Sequence, residues 1–146
     1  MADAVKHTIT IPASTEYLVQ VREFVAKCAR QADFMETDIG DIRLAVDEAC
    51  TNIIKHAYKY DRNQEIYVQI EINKNWLNIT LLDSGIGFDP GNSKKPDIQE
   101  SIRQKKRGGM GIYLIKKFMN KVEYSHNGTM NEIRMKKMRP SIVSED

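Results

Sequence analysis

Ala45-Val46-Asp47-Glu48-Ala49-Cys50-Thr51-Asn52-Ile53-Ile54-Lys55-His56-Ala57-Tyr58 is the stretch on which the reading of this chain turns. Ile42, Ala45, Val46, Ala49, Ile53 and Ala57 recur with the 3.6-residue period of a helix and form one apolar stripe. Glu48 and Asn52, four positions apart, stand one above the other on the flank of that stripe. They are edge residues, neither central core nor fully exposed, where the floor of a cleft lies. A carboxylate there can take a proton from an attacking hydroxyl. An amide oxygen is a hard ligand suited to a hydrated Mg²⁺. A Glu and an Asn four apart occur together by chance in many proteins, so the pair gains meaning only from what surrounds it.

Downstream, Ile66, Val68, Ile70 and Ile72 make one inward face, and Leu77, Ile79 and Leu81 make another. Asn73-Lys74-Asn75 between them predicts a hairpin turn and an antiparallel pair. The second strand runs into Asp83-Ser84-Gly85-Ile86-Gly87-Phe88-Asp89-Pro90. Residues 90–107 are polar and charged; so long a stretch with so little pattern reads as a lid. Arg107-Gly108-Gly109-Met110-Gly111-Ile112-Tyr113-Leu114-Ile115 then opens a helix over about 110–120. Residues 122–126 and 129–137 read as a closing hairpin around Asn127-Gly128.

Upstream, residues 5–11 alternate as a strand that stops at Pro12. Ser14 offers an N-cap to a helix carrying Tyr17, Leu18, Val21, Phe24, Val25 and Cys28, and the Glu48 helix follows Thr37 or Asp38. This order predicts an α+β fold, a two-layer α/β sandwich whose mixed sheet is covered by helices on one face. One domain spans 5–139, and 140–146 forms a flexible tail.

The two glycine motifs carry chemistry. Glycine lets a ligand approach the main chain closely, and glycines leading into a helix leave unpaired N–H groups suited to phosphate. No G-x-x-x-x-G-K-[ST] sequence is present. Gly109-Met110-Gly111 lacks the third glycine and the acid of a dinucleotide fingerprint.

In order, E-x-x-x-N on a helix, D-x-G-x-G after a strand and G-G-M-G before a helix resemble the GHKL (Bergerat-type) ATP-binding superfamily, which includes gyrase B, MutL and histidine kinases. More narrowly, E-A-C-T-N-I-I-K-H-A-Y with D-S-G-I-G-F-D-P resembles the anti-sigma factor serine-protein kinases of the bacterial stress-response and sporulation type. The resemblance covers roughly residues 8–137. It implies ATP and Mg²⁺ bound beneath the lid, with Glu48 as general base and Asn52 as the Mg²⁺ ligand. Asp83 would bind the adenine amino group, with Gly85 and Gly87 shaping its pocket. Arg107 would meet the γ-phosphate, while Gly108, Gly109, Met110 and Gly111 line the phosphates. Thr129 would be the late G-T element near the base of the nucleotide. The implied partners are a sigma factor and an anti-anti-sigma (STAS-type) protein, held by a homodimer in partner switching. Histidine kinases usually carry Asn at the place of Glu48. Asparagine cannot act as a base, so Glu48 favours a serine kinase or an ATPase.

Two rival readings remain at this level. One is a regulatory binding module that holds ATP as a switch without transferring phosphate and controls a different effector. The other is the detached catalytic domain of a sensor histidine kinase, which would need a phosphoacceptor histidine that the chain does not supply in a helix pair.

Composition bounds the rest. The chain has 146 residues, enough for one domain with a sizeable core. With 22 basic and 20 acidic residues the net charge is +2, giving no electrostatic argument for direct nucleic-acid binding. The basic excess is local, at Lys94, Lys95, Arg103, Lys105, Lys106 and Arg107 and again at Arg134, Lys136, Lys137 and Arg139. The first cluster reads either as a phosphate-facing or partner-facing lid or as a solvated loop. Cys28 and Cys50 lack metal spacing and fall beside apolar residues, as buried reduced thiols do. No signal peptide or membrane span is evident in the sequence, so a cytoplasmic location is expected. Tyr58 and Tyr60 read as helix-end packing, with stacking on a base as the alternative.

Overall fold

The alternating segments pair into a single five-stranded sheet. In the computed structural model, which describes residues 4–85 and 111–140, the strands are β1 (Val5–Pro12), β2 (Glu65–Ile72), β3 (Trp76–Asp83), β4 (Lys121–Asn127) and β5 (Met130–Met138). Their order is β1-β2-β3-β5-β4. Among the described residues all the ladders are antiparallel, which corrects the mixed sheet expected from sequence. The reason lies in the connections. Pro12 pairs with Glu65, and the Ala13 amide donates to the Gln64 carbonyl at 2.9 Å. The helical excursion between them therefore leaves and re-enters the sheet at one end, and a strand re-entering there must run the opposite way. The chain leaving β3 instead crosses to the far end of the sheet, where β4 enters at Lys121, and the β4–β5 hairpin brings Asn131 of β5 back beside Asp83.

Helices α1 (Leu18–Gln31) and α2 (Glu36–Asn52) make that excursion, and α3 (Gly111–Phe118) precedes β4. Ser14 is not the side-chain cap of α1. A short 3₁₀ turn, Thr15–Tyr17, intervenes, and the Ser14 hydroxyl donates to Glu16 at 3.1 Å. Helix α2 begins at Glu36, one residue before the expected cap, with Met35 at the N-cap in extended conformation. Glu36 and Asp38 in its first turn complement the helix dipole. Between the helices, Asp33 takes a left-handed φ of 69°. Its amide donates to the Arg30 carbonyl, and the Phe34 amide reaches back to Ala29 at 3.1 Å. This double closure satisfies the last carbonyls of α1 and reverses the chain.

The expected faces are buried as read. Val68, Ile70, Leu77, Ile79 and Leu81 pack under Ile42, Ala45, Val46 and Ala49, each essentially removed from water. Each large aliphatic side chain so buried contributes about 1.5–3 kcal/mol. The opposite sheet face is polar, with Lys6, Glu71, Asn78, Lys136 and Lys121 following one another across the strands. Among the described residues helices thus cover one face, and the π turn after α2 meets the β3 exit at Ala57 and Gly85.

Candidate nucleotide site

Asn52 is the last residue of α2, and the helix does not stop there. Residues Ile53–Ala57 widen into a π-helical turn, with the Tyr58 amide donating to the Ile53 carbonyl at 2.9 Å. Such turns inside α-helices concentrate at functional sites. Lys59 and Tyr60 follow at left-handed φ values of 48° and 66°. Two successive non-glycine residues in that region are sterically costly and hold only where neighbours fix them. Here the fixing residue is Tyr58. It is buried, its hydroxyl donates to the Glu65 carbonyl at 2.6 Å, and it accepts from the Ser84 amide at 2.8 Å. Tyr58 is therefore the packing residue expected of a helix end. Tyr60 is 60% exposed and is not.

The tyrosine hydroxyl ties the end of the α2 segment to the turn that leaves β3. Gly85 completes the junction. A Cβ on Gly85 would lie 2.4 Å from the Ala57 carbonyl oxygen and 2.6 Å from its carbon, so no side chain fits. The glycine that sequence reading assigned to the adenine pocket is required first by backbone packing. Asp83, 5% exposed, organises the turn from inside. Its Oδ1 accepts the Gly85 amide at 2.9 Å and the Asn131 side-chain amide at 2.8 Å. Among the described residues Oδ2 has no hydrogen-bond partner, leaving one acceptor oxygen for an incoming donor.

Glu48 and Asn52 are half-buried, as their flank position required. Among the described residues neither side chain is hydrogen-bonded or ion-paired. The neighbouring Asp47 is engaged instead: Arg22 of α1 donates to it at 2.8 Å. That bond holds the Arg22 guanidinium more firmly protonated than usual. The acid that pins the two helices and the acid left available are thus adjacent in sequence and separate in role. Helix α2 also packs against α3, whose first residue is Gly111.

Among the described residues no three His, Cys, Asp or Glu side chains gather as a metal cage. A Mg²⁺ bound with phosphates needs only one or two protein oxygens and keeps several waters, and the unpaired Asn52 amide fits that donor set.

Asn131 is the residue that sequence reading missed. It faces Asp83 in register across β3 and β5. Thr129, assigned near the nucleotide by motif, lies exposed in the β4–β5 turn beside Gly128 at φ 61°. The signal was available in the alternation of β5: Asn131 falls on the inward phase with Ile133 and Met135, so a polar residue stands at a core position. Gly87, Arg107, Gly108, Gly109, Met110 and the expected lid over 90–107 lie outside the described residues.

Residues 11–137 match the family model for the histidine kinase-like ATPase domain. Curated relatives include the serine-protein kinase RsbW of Bacillus thuringiensis and of Bacillus cereus. Each is 34% identical over 145 residues, covering 97% of this chain and 90% of theirs. In fold the chain is similar to a crystal structure of the RsbU and RsbW domains of Rv1364c from Mycobacterium tuberculosis. The TM-score is 0.61 at 14% identity, over 97% of this chain and about a third (34%) of that one. With a half-buried acid and amide one turn apart, an aspartate turn locked to their helix and a family match over most of its length, the chain belongs to the histidine kinase-like ATPase domain family.

Proposed function

We propose that this protein is an ATP-dependent protein-serine kinase and anti-sigma regulatory factor. It phosphorylates an anti-anti-sigma (STAS-type) partner and sequesters a sigma factor in a partner switch. The observation that carries the kinase reading is Glu48: half-buried, unpaired among the described residues, and one turn from an equally unpaired Asn52. A passive nucleotide holder has no use for a base at that place, whereas a serine hydroxyl must lose its proton to attack phosphorus.

In this reading the purine sits against the Asp83 turn, its exocyclic amine donating to Asp83 Oδ2. Gly85, packed against the Ala57 carbonyl, holds the turn on which the base would rest. Asn52 would hold Mg²⁺, which screens the phosphate charge when bound. Glu48 accepts the serine proton as the hydroxyl oxygen bonds to the γ-phosphorus and ADP leaves. Gly111 and the Arg107-Gly108-Gly109-Met110 segment are assigned to the phosphates by motif, with preorganised donors stabilising the transferring group. The sigma factor, the anti-anti-sigma partner, the homodimer and the cytoplasmic location rest on the family resemblance. Among the described residues no helix is long and apolar enough to cross a membrane.

The test is incubation of the purified protein with radiolabelled ATP, Mg²⁺ and candidate STAS-type proteins. Acid-stable label on a partner serine is expected. Acid-labile label on histidine, or ATP binding without transfer to any partner, would reject the reading.

A further inference from the structure

Asp83 is held by a relay that reaches the protein surface. Asn131, 9% exposed, places its Nδ2 2.8 Å from Asp83 Oδ1 and 3.0 Å from the Gly85 carbonyl. Both neighbours are acceptors, so that end of the amide must be the nitrogen and both of its protons are used. The amide oxygen then points the other way, and His126 Nδ1 lies 2.7 Å from it. An amide oxygen only accepts, so His126 Nδ1 carries the proton. The tautomer follows from the network rather than from the imidazole's own preference. His126 and Asn131 are register partners at the end of the β4–β5 hairpin, which makes the contact a product of the ladder.

We infer that His126 and Asn131 are positioning residues that set base discrimination at the nucleotide site, a role that rests on the Asp83 reading above. Asn131 clamps both ends of the turn, the Asp83 carboxylate and the Gly85 carbonyl. Oδ1 of Asp83 is thereby saturated by two donors and cannot rotate toward the base. Among the described residues Oδ2 is the carboxylate oxygen left to accept, and in this reading it serves the base as a fixed acceptor. A 6-amino purine supplies a donor there. A 6-oxo purine presents an oxygen to a carboxylate oxygen and is repelled. His126 keeps the Asn131 amide from turning over by giving its oxygen a donor.

The experiment measures Kd for ATP and ITP by titration calorimetry, and KM and kcat with a phosphoacceptor partner, in wild type, His126→Ala, His126→Asn and Asn131→Ala. Asparagine can place an amide N–H where His126 Nδ1 stands. His126→Ala is expected to lower the ATP-over-ITP preference about three- to tenfold, the range for one lost hydrogen bond. KM should rise, kcat should stay, and the melting temperature should be near that of wild type. His126→Asn should restore the preference, and Asn131→Ala should lower it further. Unchanged preference in His126→Ala would overturn the relay, as would a loss that His126→Asn does not repair. Should Asn131→Ala fail to fold, the two exposed-site His126 variants still decide. If wild type itself fails to prefer ATP over ITP, the Asp83 reading falls first and the relay with it.

Discussion

Gly85 approaches Ala57 so closely that a Cβ on the glycine would stand 2.4 Å from the alanine carbonyl oxygen. The π-helical turn that follows Asn52 and the turn that follows β3 are thus joined by direct backbone packing as well as by the Tyr58 hydroxyl. Whatever moves one moves the other, and the two halves of the candidate site share one mechanical unit.

Gly85→Ala should therefore destabilise the fold by about 1–3 kcal/mol, since the overlap is with backbone that cannot swing aside. Gly40 is the internal control. It lies exposed in α2 with nothing within 4 Å of an added Cβ. Gly40→Ala should stabilise by about 0.5–1 kcal/mol through helix propensity. Denaturant melts of the two variants check the contrast. Equal effects would refute the close-packing role.

Tyr58→Phe keeps the ring and removes the hydroxyl that serves Ser84 and Glu65. The Ser84 amide and Glu65 carbonyl then lose their partner, at a cost of about 1–3 kcal/mol. ATP affinity should fall with stability, because the Ser84 amide sits beside Asp83. A melt unchanged from wild type would show that water replaces the hydroxyl at no cost.

The thiols give a pH dependence with a definite sign. Burial pushes Cys50 up from 9.0 to about 12, with Asp47 adding to the rise, and pushes Cys28 up to about 11. A group whose pKa is raised on folding contributes stability fully below its unfolded value. That contribution is lost as pH climbs toward the folded one. Stability should therefore be flat below about pH 8.5 on this account and fall progressively from there toward 11–12. At pH 8 neither native cysteine should react with an alkylating reagent, and both should react in denaturant. Fast native labelling would contradict their burial.

Asn52→Ala removes the one protein oxygen assigned to Mg²⁺. Mg·ATP affinity should drop by at least about tenfold, since loss of even a ligand's supporting partners costs about 10–100-fold. With EDTA present, variant and wild type should bind ATP alike. A loss that persists in EDTA would assign Asn52 to the nucleotide or to structure instead of the metal.

The elements were legible where one period dominated. The stripe from Ile42 to Ala57 and the alternation through β2 and β3 face inward as read, because burial on one side leaves a sequence little freedom. Sheet direction was not legible, since it depends on which end of the sheet the helical excursion returns to, a long-range fact fixed by Ala13 and Gln64. The π turn hid inside a continuing helical pattern: Ile53 and Ala57 satisfy the 3.6 period even though the local hydrogen bonds widen. The flank position of Glu48 and Asn52 was legible because a helix face converts spacing into proximity, and both are half-buried as read. Thr129 was read from a motif, and the strand alternation that places Asn131 beside Asp83 went unused. Gly85 was read as a pocket glycine; its packing against Ala57 involves residues far apart in sequence and leaves no local trace.

The most direct test of the proposed chemistry compares wild type with Glu48→Gln, following ATP binding by calorimetry and phosphate transfer to a partner serine in parallel. Glutamine preserves size and hydrogen bonding but cannot accept the proton. The expected result is ATP affinity within about twofold of wild type and a transfer rate lower by about a hundred- to ten-thousand-fold, the range for a lost general base. Undiminished transfer by Glu48→Gln would contradict the assignment of Glu48 as the base and with it the kinase mechanism built on α2.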